Sequence, residues 1–361
     1  MTICPQILSG YEMKIKRTFR RFLGGLLALG VLAGAPAANG NEPLPACLGD
    51  VQPLVVSSQM PYALVTVAGR QGYFVLDFGA TFSTIVPDAF FGPLKPRPQP
   101  GLPDTYDDFT FFGSWGRVRL PAGGATGLLG SVPQAGIIGT DFLASHIYTL
   151  DYPEGRLHRA QRGRFCTDEA LTAAGFSALS TRDYYADGPG RLSCPRAGSP
   201  ACPNVPAVPI RIGPVAAVAQ LDTGYDDGSQ PLSVNINVAL FDALRRAGVR
   251  LQPRPEIALQ LTTCQPGVSE AVDAWQLPPD TALGFIGPSG RVVRSEAGVT
   301  LFVKRTPPAA RVCGGIGTWP QPAAQLGASF FAGGALIVDP FSARVWFRDP
   351  AASPLLSRER P

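Results

Sequence analysis

The strongest constraint on this chain is that it repeats itself. The segment IIGTDFLASHIYTLDYPEGRLHR, from Ile137, lies over QLGASFFAGGALIVDPFSARVWFR, from Gln325, without a gap. Gly139 then matches Gly327, Phe142 matches Phe330, Asp151 matches Asp339 and Arg156 matches Arg344. Each copy predicts a short helix-like turn followed by two strands, Ile147 to Tyr152 and Arg156 to Arg159 in the first, Leu336 to Val338 and Arg344 to Arg348 in the second. Repetition over such a distance makes the chain two like halves, and a fold with no internal symmetry is a poor fit to it.

The beginnings of the halves repeat as well. YALVTVAGRQGYFVLDFGATFSTIV reads as two alternating strands turning around Gly69 to Gly72, the second running into Asp77-Phe78-Gly79-Ala80-Thr81. VPIRIGPVAAVAQLDTGYDDG reads as two strands around Gly213-Pro214, ending in Asp222-Thr223-Gly224. In both, an acid at the end of an apolar strand is followed two residues later by glycine, which permits a sharp turn and leaves the carboxylate projecting from the strand end. One Asp-x-Gly after a strand is a common turn. Two at corresponding places are a different matter, because acids in pseudo-equivalent positions meet on a pseudo-twofold axis if the halves pack face to face.

Composition narrows the chemistry. The 361 residues are 45% hydrophobic, enough for one large domain or two lobes, and Gly 41 with Pro 37 indicates many short strands joined by tight turns. His146 and His158 are the only histidines, which leaves little for a His-rich zinc site or a Ser-His-Asp triad. Catalysis must then come from carboxylates or hydroxyls. Residues 1–37 hold five basic residues and one acid, the whole of the net charge of +4. The neutral remainder gives no basic patch for nucleic acid or an anionic membrane.

That basic run precedes an apolar stretch, Phe22 to Ala35, and then Ala35-Pro36-Ala37, the order of a secretory signal peptide. Translation is expected to begin at Met13 and the mature protein near Ala38. The 14 apolar residues fall short of the roughly 20 needed to span a bilayer, so no stable membrane span is expected after cleavage. Arg20-Arg21 before Phe22-Leu23 leaves a twin-arginine route open. Downstream of the leader stand Cys47, Cys166, Cys194, Cys202, Cys264 and Cys313, an even set suited to disulfides in the periplasm or outside the cell. No Cys-x-x-Cys or neighbouring His pair suggests a metal, and none is expected.

These motifs carry a resemblance to the pepsin-like and retropepsin-like aspartic proteases. FVLDFGATFSTIV resembles their active-site strand, AQLDTG resembles its partner, and IIGTDFL followed by LDYPEGRL looks like the apolar-apolar-Gly segment and closing hairpin of bacterial retropepsin-like lobes. The likeness spans about Tyr62 to Asp349. It implies an all-β, two-lobed pepsin-like acid protease fold built from duplicated retropepsin-like halves, with a few short helices. It also implies a monomeric exported endopeptidase acting on peptide or protein substrates, with Asp77 and Asp222 as the catalytic pair and Gly79, Thr223 and Gly224 supporting them. No cofactor is needed, because two carboxyls sharing one proton supply both a base for water and a donor to the carbonyl oxygen.

Two positions depart from the family pattern. The residue after the first Asp is Phe78, which has no hydroxyl to reach the other lobe as Thr223 can. The small residue after the glycine is Ala80 in the first half but Tyr225 in the second, followed by Asp226 and Asp227, a set that could narrow the cleft or alter its proton balance. These departures motivate the alternative of a catalytically inactive pepsin-like binding protein of the cell envelope.

The expected organisation is a signal peptide at 1–37, an N-terminal lobe at 38–165, an interlobe connection at 166–205, a C-terminal lobe at 206–350 and a tail at 351–361. Position suggests disulfides Cys47 to Cys166, Cys194 to Cys202 and Cys264 to Cys313. A helix over VALFDALRRA is predicted, capped by Asn237 and stopped by Gly248. The substrate-covering flap is expected within DDFTFFGSWGRVRL, where Trp115 or Tyr106 either faces the cleft or packs beneath a hairpin.

Overall fold

A computed structural model describes residues 44–92, 94–123, 132–181, 205–257, 259–263 and 265–349. The leader and its cleavage site, Cys194, Cys202 and Cys264, and the tail lie outside the described residues, as does the side chain of Cys313. The protein is all-β, two-lobed and internally duplicated, with a few short helices.

The duplication is visible strand by strand. In the first half, Met60–Val67 and Arg70–Leu76 form an antiparallel hairpin, and Arg70–Leu76 also pairs in parallel with Gln134–Ile138. In the second, Ala207–Ile212 and Val215–Leu221 form the hairpin, and Val215–Leu221 pairs in parallel with Ala323–Leu326. A further strand, Thr84–Ile85 in one half and Ser233–Asn237 in the other, lies antiparallel on the outer side of the parallel neighbour. Among the described residues these strands belong to an eight-stranded sheet in the first half and a ten-stranded sheet in the second.

The halves join through a third, six-stranded sheet. Ile147–Asp151 lies antiparallel to Ala335–Asp339, with Thr149 opposite Ile337, so equivalent strands pair across the pseudo-twofold. Each then pairs with the second strand of its own closing hairpin, Arg156–Ala160 or Arg344–Arg348. Outermost come Asp50–Pro53 on one side and Ser177–Ser180 on the other. Residues expected to form a simple connection thus include a helix, Asp168–Ala173, and a strand that closes the second half's edge. Leu48, Cys166, Leu171, Phe176, Ile337 and Trp346 pack together here. The Cys47–Cys166 disulfide lies in the same region.

The predicted helix forms over Val238–Arg246: Asn237 accepts from the Leu240 N–H at 2.9 Å and Gly248 follows at φ +79°, a conformation suited to glycine. Leu240, Phe241 and Leu244 form its buried face.

Candidate active site

The two acids are placed by the same backbone device used twice. The Asp77 N–H donates to the Ile138 carbonyl at 3.0 Å and the Asp222 N–H to that of Leu326 at 3.2 Å, which extends each parallel ladder by one bond. The chain then turns. Ala80 N–H bonds back to the Asp77 carbonyl and Tyr225 N–H to the Asp222 carbonyl, each at 3.3 Å. The turn is held from outside by the start of the helical segment after the apolar-apolar-Gly: Thr140 N–H donates to Ala80 O at 2.9 Å, and Ala328 N–H to Tyr225 O at 3.0 Å.

Each carboxyl caps its own turn, Asp77 Oδ1 accepting from Gly79 N–H at 2.7 Å and Asp222 Oδ1 from Gly224 N–H at 3.0 Å. The glycines also bring the lobes together. A Cβ at Gly79 would stand 2.4 Å from Asp222 Cγ, and one at Gly224 would stand 2.4 Å from Asp77 Cγ. Only a residue without a side chain lets each backbone turn lie against the opposite acid. Both acids are buried, and Asp77 Oδ2 has no hydrogen-bond partner, which leaves one oxygen of the first acid open at the meeting of the lobes. Burial raises the Asp77 carboxyl above the ordinary range, against the opposing effects of the Asp222 carboxyl and the Gly79 N–H. Asp222 is raised well above it, first by burial and then by the charge of Asp77. Such a pair sheds its protons in two separated steps.

Thr223 fastens this arrangement. Its fully buried hydroxyl accepts from the Phe78 N–H at 3.1 Å and donates to the Leu76 carbonyl at 2.5 Å, so one side chain of the second lobe bonds both flanks of Asp77. Phe78 returns no hydroxyl and instead is fully buried in the same hydrophobic core as Leu76, Ile138 and Phe330. Tyr225 is buried, its phenol 3.0 Å from Ser233 Oγ on its own lobe's sheet. Asp226 accepts from the Gly228 N–H at 3.0 Å. Asp227 is clasped by Ser329, whose N–H donates at 2.9 Å and whose hydroxyl at 2.5 Å.

Further partners of the site were not anticipated from sequence. Gln325 donates through Nε2 to Asp222 Oδ2, and Asn235 Nδ2 donates to Gln325 Oε1 at 3.1 Å. In the first lobe Ser83 and Asp141 perform the clasp that Asp227 and Ser329 perform in the second, Ser83 donating through its N–H at 3.0 Å and its hydroxyl at 2.6 Å. The signal for Gln325 lay in the repeat: it stands opposite Ile137, a polar residue in an apolar place.

The hairpin Leu102–Thr110 and Ser114–Arg119 forms in the stretch expected to hold the flap. Trp115 packs 4.7 Å from the Phe142 ring and donates to the Phe111 carbonyl at 2.9 Å, partly buried against the core of which Tyr106 is a buried member. His146 is held by Ser145, and His158 lies in the edge ladder opposite Val51.

No protein-family model matches the chain, and no curated protein does. Among solved structures it is similar to Basic 7S globulin from soybean, at 10% identity and a TM-score of 0.43, covering 82% of this chain and 94% of that one. A likeness that distant carries no argument for the site, which rests on its own geometry.

Proposed function

We propose that this protein is an exported aspartic-type endopeptidase that hydrolyses peptide bonds with a water activated between Asp77 and Asp222. The observation that carries the reading is the meeting of the two buried carboxyls across the lobes, each backed by the glycine turn of the other. In such a pair one acid is charged and the other protonated. The charged member takes a proton from water as its oxygen attacks the peptide carbonyl carbon, and the protonated member bonds the carbonyl oxygen. The protonated member passes its proton to that oxygen as the diol forms. The diol then breaks at its C–N bond as one carboxyl gives its proton to the leaving nitrogen and the other takes a proton from a diol hydroxyl, so that a carboxylic acid and an amine leave and the pair again holds one proton. Export is supported by the leader-like N-terminal sequence and by the Cys47–Cys166 disulfide, a bond of oxidising compartments. No helix among the described residues is long and apolar enough to cross a membrane.

Digestion of a peptide library by the purified protein from pH 3 to 8 tests the reading, with Asp77→Asn and Asp222→Asn alongside. Either variant should lose hydrolysis, and full activity in both would overturn the assignment. The one-sided grip of Thr223 favours a second reading, a silent binding protein. It would be supported by a wild type that cleaves nothing yet binds a peptide-like transition-state mimic.

A further inference from the structure

We infer that Gln325, oriented by Asn235, is a positioning residue that keeps Asp222 a hydrogen-bond acceptor and thereby sets the pH at which the pair gives up its first proton. The inference rests on the dyad reading above and concerns what makes its two members unequal.

Asn235 and Gln325 stand directly opposite each other on antiparallel strands, which brings their side chains together. Asn235 is buried, and its amide donates to Gln325 Oε1. That bond decides which end of the Gln325 amide faces the acid: with Oε1 occupied, Nε2 is the end presented to Asp222 Oδ2. An N–H donor favours the carboxylate over the carboxyl, so the monoanionic pair is stabilised relative to the diprotonated one. The first lobe has no counterpart. The corresponding opposed residues are Thr84 and Ile137, and Ile137 has no donor to offer Asp77. The lobes therefore hold their acids with the same backbone and unequal side chains.

The titratable groups around Asp222 are few. Asp77 faces it from the other lobe, and Asp226 and Asp227 follow on its own loop. Tyr225 is turned to Ser233, while Tyr62 and Tyr152 face Asp226 and Asp227. Asp77 is the neighbouring charge that acts most strongly on Asp222, so a shift caused by the amide is read chiefly against one neighbour.

Carboxyl-carbon NMR titration of the full protein, run beside the pH profile of kcat/KM, tests the inference. Gln325→Met keeps the volume and removes the donor. It should raise the lower apparent pKa of the pair by about one unit and carry the acidic limb of the profile with it. Asn235→Leu, which leaves Gln325 unheld, should shift both in the same direction by less, and it answers the question if Gln325→Met does not fold. A folded variant whose titration superimposes on that of wild type overturns the inference, even if wild type is an active peptidase. A shifted titration in a protein that hydrolyses nothing would leave the inference standing and remove the hydrolytic reading instead.

Discussion

Asp227 is a buried acid that burial pushes up to about 6 from 3.8, against the opposing hydrogen bonds of Ser329. Its folded-state pKa lies above its unfolded one, so the folded protein holds this proton more tightly and stability falls as pH rises between those values. The difference is about 2 units, or roughly 3 kcal/mol at most, fully lost above about pH 7. Asp227→Asn removes the charge and keeps the clasp, its Oδ1 accepting from the Ser329 N–H and its amide donating to the Ser329 hydroxyl. The variant should therefore match wild type near pH 4 and exceed it by up to about 3 kcal/mol at pH 8. Urea denaturation at pH 4, 6 and 8 measures this directly, and comparison at each pH cancels the other buried acids so long as they titrate independently. A variant equally stable or weaker at pH 8, or one whose gain is the same at every pH, would refute the reasoning.

Gly79→Ala and Gly224→Ala each place a methyl 2.4 Å from the opposite carboxyl carbon, so either should abolish hydrolysis and weaken the contact between lobes; activity assay and thermal denaturation report the two losses. Thr223→Val strands a buried carbonyl and N–H and should lose about 1–3 kcal/mol by denaturation, whereas Thr223→Ser keeps most of it. Phe78→Thr, attractive from sequence as a way to supply the missing hydroxyl, empties a fully buried site and should cost about 3 kcal/mol in the same assay. Cys47→Ser opens a bridge between residues 119 apart and should cost about 2–5 kcal/mol, with reductant lowering wild type toward the variant.

What the sequence made legible was whatever a period or a repeat could carry. The closing hairpins, the Asn237-capped helix and the strands leading to both acids all announce themselves in local pattern, and the register of one copy predicts the other. The reach of Thr223 to the other lobe followed from the resemblance, but partners outside the motifs were not legible because they depend on distance in space: Gln325 meets Asp222, 103 residues away, and Ser83 meets Asp141, 58 residues away. Tyr225 shows the limit of reading by neighbourhood. Beside Asp222 in sequence, a phenol suggests a narrowed cleft, yet in the fold its hydroxyl is used by Ser233 inside the lobe.

The two clasps behind the acid turns show how duplicated halves diverge without losing the site. In the first lobe the hydroxyl sits on the loop after the acid, at Ser83, and the carboxyl at the helical turn, at Asp141; in the second the carboxyl is on the loop, at Asp227, and the hydroxyl at the turn, at Ser329. Either order joins loop to turn, because one carboxyl accepts both the N–H and the O–H of one serine. The loop carrying Asp227 is a residue shorter, counted from the acid, so the exchange accompanies a change in chain length rather than a simple swap. The backbone bonds that place Asp77 and Asp222 are the same in both lobes, and the side chains around them are free to differ so long as those bonds are kept. That freedom has a consequence for a shared proton: the unlike pairs Thr223 with Phe78 and Gln325 with Ile137 put the two acids in unequal surroundings and so bias which of them holds it.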